Sequence, residues 1–126
     1  MDVRTHRAID RRLSGEPVAL GPGWARVAMT AGAEMAADEQ GLVHGGFLFA
    51  LADHAAMLAV NHPHVVLARA EVHFHRPVRV GESLEAEARV TGGEGRRRRV
   101  RAIVRRGEAV VMEGDFACVV PSRHVL

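Results

Sequence analysis

The stretch from Gly45 to Asn61, GGFLFALADHAAMLAVN, constrains this chain more than any other part of it. It is apolar on almost every face, and a helix that is hydrophobic all round has to be buried. Asn61 and Pro63 end it. A chain of 126 residues corresponds to one domain with a real core, so the elements that bury this helix must come from the same sequence.

The remaining segments read mainly as strands. From Trp24 to Thr30 the pattern alternates, with Ala25, Val27 and Met29 on one face. After the helix, period two dominates. Ala68, Ala70, Val72 and Phe74 share a face; so do Leu84, Ala86, Ala88 and Val90; then Val100, Ala102 and Val104; then Val110, Met112, Phe116 and Cys118. Pro77 with Gly81, the run Gly92-Gly93-Glu94-Gly95, and Gly107 mark the turns. At the N-terminus, Asp2 reads as a cap for a short helix carrying Val3, His6, Ile9 and Leu13, stopped by Gly15 and Pro17. A loop runs through Asp38-Glu39-Gln40-Gly41. The predicted order is helix, strand, buried helix, then four consecutive antiparallel strands in a meander. A sheet with one apolar face must cover that face, and only the 45–61 helix is apolar enough to do so. The expectation is an α+β fold in a single domain, 1–126: a curved antiparallel sheet wrapped around a long central helix, with a short N-terminal helix.

Composition narrows the functional classes. At 48% hydrophobic and 25% charged the chain is not a disordered tail. Its aromatics are only Trp24 and four phenylalanines, so the core must be built from Ala, Val, Leu and Met. All 17 basic residues are arginine; against 15 acids they leave +2, which is weak support for a polyanion partner. Cys118 is alone, so no internal disulfide forms, as in a cytosolic enzyme. The N-terminus lacks the apolar centre of a signal peptide. The longest apolar run, Phe47 to Val60, is interrupted by Asp53 and His54 and is shorter than the roughly 20 residues of a membrane span. These features predict a soluble cytoplasmic protein with no membrane partner.

Within the buried helix one residue stands out. Asp53 is a carboxylate among almost wholly apolar neighbours. Burying it unpaired costs several kcal/mol, and ionisable groups in such places lean towards function. The structural alternative is a buried Asp satisfied by a backbone donor or by His54.

Val43-His44-Gly45-Gly46, followed by Phe49-Ala50-Leu51-Ala52-Asp53, resembles the motif of hotdog-fold acyl-CoA thioesterases, and among them the phenylacetate-pathway branch. The resemblance extends to Phe74-His75-Arg76-Pro77 and Val80-Gly81-Glu82. It implies hydrolysis of an acyl-CoA thioester without metal or redox cofactor. Asp53 would act as nucleophile or as general base for water, Gly45 as the helix N-terminal donor polarising the carbonyl, and His44 as an orienting residue. Asp38 stands where some relatives carry an amide, and Gln40 lies two residues on. Leu67 and Met57 stand where some relatives carry a hydroxyl. These two departures leave the helper for the attacking water unassigned and sustain an alternative, a non-catalytic acyl-CoA-binding module on the same fold. Gly46, Asp38, Phe47, Phe49, Met57 and Leu67 are the candidate substrate contacts, with an apolar pocket for an aryl or aliphatic acyl group.

The spacing adds a constraint of its own. The helix start at Gly45–Gly46 has N–H groups without intrahelical acceptors and the positive end of the dipole, suited to an oxyanion. Gly45 and Asp53 lie eight residues, hence about 12 Å, apart along a helix. Groups acting on one carbonyl must lie within about 3–3.5 Å of the reacting centre. Two antiparallel helices related by a dyad solve this, so the sequence predicts a homodimer with two shared sites; the resemblance adds pairing of dimers into tetramers.

Two other signals have ordinary explanations. His73 and His75 share a strand face with Glu71, and His62-Pro63-His64 forms a turn, but no metal-ligand spacing is present. The arginines at 96–99, 101, 105 and 106 lack aromatic interleaving, which argues against nucleic acid. If simple hairpins form about residues 94 and 107, Arg101 faces Glu87 and Glu113 and Arg99 faces Asp115, as ordinary cross-strand pairs.

Overall fold

The computed structural model describes residues 1–126. A six-stranded antiparallel sheet curves around one long helix. The elements are α1 (Arg11–Ser14), β1 (Glu16–Gly21), β2 (Trp24–Thr30), a 3-10 turn at Ala33–Met35, α2 (Gly45–Val60), β3 (Val66–Phe74), β4 (Ser83–Gly92), β5 (Arg97–Arg106) and β6 (Ala109–Val119). The strand order is β1-β2-β4-β5-β6-β3. This is the α+β hotdog arrangement expected, with α2 as its filling.

Helix α2 packs mainly across β2, β4 and β5. Alanine is frequent on both sides of this interface. The helix gives Ala52, Ala55, Ala56 and Ala59, and the strands give Ala25, Ala86, Ala88 and Ala102, all buried. Leu51, Met57, Leu58 and Met112 fill the space the alanines leave. The predicted inward faces of β2, β4 and β5 are the buried ones. The helix ends where Asn61 turns left-handed at φ 51° and ψ 41°, its N–H donating to the Met57 carbonyl at 2.8 Å. No helix is long and apolar enough to cross a membrane.

Four expectations need correction. First, residues 2–10 are not helical. His6 sits at φ 54°, which interrupts any right-handed helix, and only the turn Arg11–Ser14, capped by Asp10 accepting from the Arg12 N–H at 2.9 Å, is helical. The apolar residues at helical spacing are instead laid along α2 as an irregular strap. Asn61 clamps this strap, accepting from the Arg4 N–H and donating to the Asp2 carbonyl, both at 2.8 Å. Second, Glu16–Gly21 is a strand: Gly15 and Pro17 end the helical turn but start β1, which pairs with β2 through a tight hairpin.

Third, the last four strands are not a meander. β4, β5 and β6 are, but β3 pairs with β6 and forms the far edge of the sheet. Alternation reports which face a residue takes, not which strand lies beside it. A bulge between Leu67 and Arg69 also shifts the phase, leaving Ala68 exposed; Ala70 and Val72 are half-buried and Phe74 is 52% exposed. Fourth, bulges at Val90/Gly92 and Val104/Arg105 move the register, so Arg101 lies opposite Arg89 and Asp115, and Arg99 opposite Ala117. The Arg101 guanidinium still reaches Glu113 at 2.6 Å and Asp115 at 3.0 Å, while Arg89 pairs with Glu87 at 3.1 Å.

Candidate active site

The site begins with the entry to α2. His44 is extended, and its N–H donates to the Met35 carbonyl at 2.9 Å. Val43 donates to the Val78 carbonyl at 2.8 Å, and Leu42 forms a bridge with Arg79. The loop before the helix is therefore stitched to the segment after Pro77. No side chain caps α2, and neither the Gly45 nor the Gly46 N–H meets a backbone acceptor. These are the free donors that the two glycines and the motif predict. The His44 ring lies over Gly46, where a Cβ would meet it at 3.0 Å, and packs edge-on against Phe47 at 6.1 Å.

Gly45 lines a cleft of about 270 Å³ with Val43, Leu48, Phe74, His75, Arg76, Pro77 and Val78. A Cβ at Gly45 would stand 3.3 Å from the Phe74 ring, so the absence of a side chain lets that ring close over the helix entry. Phe74 and Arg76 belong to the motif stretch, but no sequence pattern sets them beside Gly45, since the contact depends on where β3 ends.

Asp53 lies two turns further on. It is half-buried; its Oδ1 is enclosed and has no hydrogen-bond partner. Burial pushes its carboxyl up to about 6. His54 does not satisfy it: that ring is buried, and its Nδ1–H donates to the Ser14 carbonyl at 3.0 Å. Burial holds His54 below the usual histidine range.

On the same helix, one turn before Asp53, half-buried Phe49 packs on Phe116 of β6 at 5.6 Å. Cys118, two residues after Phe116, has its thiol pushed up to about 11 by burial and then by the Asp53 charge. Leu67 of β3 lies opposite Cys118. Cys118 was not a sequence-predicted site residue, although the alternation of β6 puts it on the inward face. Met57, one turn after Asp53, is fully enclosed in the core. Asp38 is exposed, and its Oδ1 accepts from the Gln40 and Leu42 N–H groups at 2.9 and 3.2 Å. It shares a larger cleft, about 490 Å³, with Gln40, Leu42, Pro77, Val78, Arg79, Glu82 and Arg106. Neither cleft contains Asp53. Within one copy, the free N–H groups and the unsatisfied carboxylate thus lie apart.

Comparison with known proteins agrees with this fold and motif. Residues 40–113 match the thioesterase superfamily, and the chain belongs to that family. Among solved structures, an uncharacterized protein, PH1136, from Pyrococcus horikoshii is similar with a TM-score of 0.97 and 49% identity, over 99% of this chain and 96% of that one. A mutant form of the phenylacetic acid degradation protein PaaI from Thermus thermophilus is similar with a TM-score of 0.80 and 31% identity, over 86% and 95%. Among curated relatives, a methylthioribose-1-phosphate isomerase of Aquifex aeolicus is 49% identical over 94% of this chain but 26% of its own length. The transcription factor FapR of Shouchella clausii is 37% identical over 68% of this chain and 45% of its own. The chain spans less than half the length of either curated relative.

Proposed function

We propose that this chain hydrolyses an acyl-CoA thioester to the free acid and coenzyme A, at a site shared between two copies. The observation that carries this reading is Asp53, a carboxylate whose enclosed oxygen has no partner and whose pKa burial raises to about 6, in the helix whose entry offers free N–H groups beside a cleft. An unsatisfied buried carboxylate is costly in a structural core; as a base it is poised just below neutral pH.

The carboxylate and the free N–H groups combine in a dimer. The exposed edge strand β3, with half-buried Ala70 and Val72 and exposed Phe74, offers the surface on which a second copy can pair. Pairing there would set the Gly45 entry of one α2 beside the Asp53 turn of the other. The Gly45 and Gly46 N–H groups then stabilise negative charge on the thioester oxygen, with His44 holding the entry. Asp53 either takes a proton from the attacking water or attacks the carbonyl itself. In the first route water adds to the carbonyl and the C–S bond breaks; in the second the C–S bond breaks as an acyl–Asp53 anhydride forms, and water then cleaves that anhydride to release the acid and restore the carboxylate. In both, the sulfur leaves as the coenzyme A thiolate and is protonated. Phe49, Phe47 and Leu67 contribute apolar surface for the acyl group, and no metal or redox cofactor is required. The cell compartment is the cytoplasm, where acyl-CoA is available.

A second reading, a non-catalytic acyl-CoA-binding module, is favoured by Leu67 and Met57, which supply no hydroxyl near Asp53, and by the likeness to a transcription factor. A turnover screen over an acyl-CoA panel, reading thiol release, separates the two. Turnover supports the enzyme; saturable binding without turnover supports the module.

A further inference from the structure

The two clefts beside the α2 entry share Pro77 and Val78 as a common wall. One opens at Gly45 and holds Arg76; the other holds Arg79 and Arg106. The two adjoin across the Pro77–Val78 wall as a groove in two parts, the first at the helix entry. Its floor is fixed to that entry, because Val43 bonds Val78 and Leu42 bridges Arg79.

The charges along the groove are unequally engaged. Arg106 donates to the Pro77 carbonyl at 2.7 Å and to Glu82 at 3.3 Å. Glu82 also accepts from the Arg79 backbone N–H at 2.6 Å, and Asp38 is occupied by two loop N–H groups. His75 stands 3.8 Å from Glu113. The guanidinium groups of Arg76 and Arg79 have no carboxylate within 4 Å and no hydrogen-bond acceptor, and both side chains are exposed. Each cleft therefore presents one free guanidinium. A forked, weakly hydrated cation of this kind is matched to phosphate oxygens.

We propose that this groove binds the phosphate-bearing end of the thioester's carrier, with Arg76 and Arg79 holding its phosphates while the thioester lies at Gly45. The inference rests on the acyl-CoA reading above and adds where the nucleotide lies. The Arg96–Arg99 turn lines neither of these clefts.

The test compares one acyl group on two carriers, coenzyme A and pantetheine, which lacks phosphates and nucleotide. In the Arg76→Gln/Arg79→Gln double variant, KM for the acyl-CoA should rise about tenfold or more, the scale of a lost charge-assisted hydrogen bond. The kcat/KM for acyl-pantetheine should stay within about twofold. An Arg97→Gln/Arg98→Gln control should match wild type on both carriers. An equal loss on both carriers, no loss on acyl-CoA, or a loss only in the control overturns the groove. If wild type hydrolyses neither carrier, the hydrolase reading fails, and the groove is then judged by calorimetric titration with coenzyme A itself. Weaker binding in the double variant than in wild type supports it; equal affinity, or no binding to wild type, overturns it.

Discussion

Asp53 and His54 are consecutive in α2 yet meet opposite chemical fates. The His54 ring is buried and donates to the Ser14 carbonyl at 3.0 Å, while the enclosed Oδ1 of Asp53 meets no donor. The titratable side chain next in sequence is thus committed to the segment that precedes β1. His54 secures the helix to the N-terminal segment, and the residue before it keeps a carboxylate oxygen without a partner.

Replacing Asp53 with Asn keeps size and hydrogen bonding but removes the base and nucleophile. Turnover of the best acyl-CoA should fall by about 10²–10⁴-fold, and Asp53→Ala should do the same, with the oligomer intact by light scattering. Because Asp53 must be ionised to act, wild-type kcat/KM should fall as pH drops through about 6. An Asn variant at near wild-type rate would refute the mechanism.

The same residue makes a stability prediction with the opposite sign of benefit. The folded carboxyl holds its proton up to about 6, against an ordinary value of 3.8. Between these values the folded state binds more protons than the unfolded one, so this group's contribution to stability falls as pH rises. Asp53→Asn removes that loss. Its Tm should lie above wild type at pH 7–8 and converge on it near pH 4. A difference independent of pH would mean that the carboxylate is not desolvated.

The shared site predicts complementation. Gly45→Val puts a branched side chain against Phe74 and blocks close approach of the thioester oxygen; losing such a donor costs about 2.7–4 kcal/mol in the barrier. Homodimers of Gly45→Val and of Asp53→Asn should each be nearly inactive. Isolated heterodimers should recover activity towards half the wild-type rate, because one of their two sites holds both intact residues. The protein should also be dimeric or larger at micromolar concentration, and an active monomer would exclude the shared site.

Asn61 offers a test of the strap. Asn61→Gly keeps the left-handed helix end but removes both bonds to the Asp2–Arg4 backbone, about 0.5–1.5 kcal/mol each. Asn61→Ala adds the left-handed penalty, about 1–2 kcal/mol. Melting temperatures should rank wild type, then Gly, then Ala, with faster amide exchange at Arg4 in both variants. A Gly variant as stable as wild type would remove the clamp.

What could be read in the sequence was what periodicity and burial control. The helix from Gly45, the strand Trp24–Thr30 and the inward faces around Ala86 and Ala102 follow from single-chain patterns, and so does the oddity of Asp53. The strand order did not, because the pairing of Leu67 with Cys118 is a contact between distant segments that leaves no periodic trace. The short N-terminal helix is present only as Arg11–Ser14; its expected start at Asp2 fails because Val3 and Ile9 can lie half-buried along α2 without being helical, and His6 turns left-handed there. Phe74 over Gly45 was hidden for the same reason as the strand order. Only the folded chain brings the end of β3 to the start of α2.

The alanine-on-alanine packing of α2 against β2, β4 and β5 has a consequence for how this chain can vary. Where the buried residues are alanines, there is little volume to lose and no spare room. Truncation at Ala55, Ala56, Ala86 or Ala102 removes a single methyl, whereas enlargement must push a helix off a sheet, at about 1–3 kcal/mol per overpacked position. In most cores large residues are the vulnerable ones. Here neutral drift at the central seam is confined to the smallest side chains, whereas Phe49, Leu67 and Phe74 keep part of their surface exposed and can change size without moving the helix off the sheet.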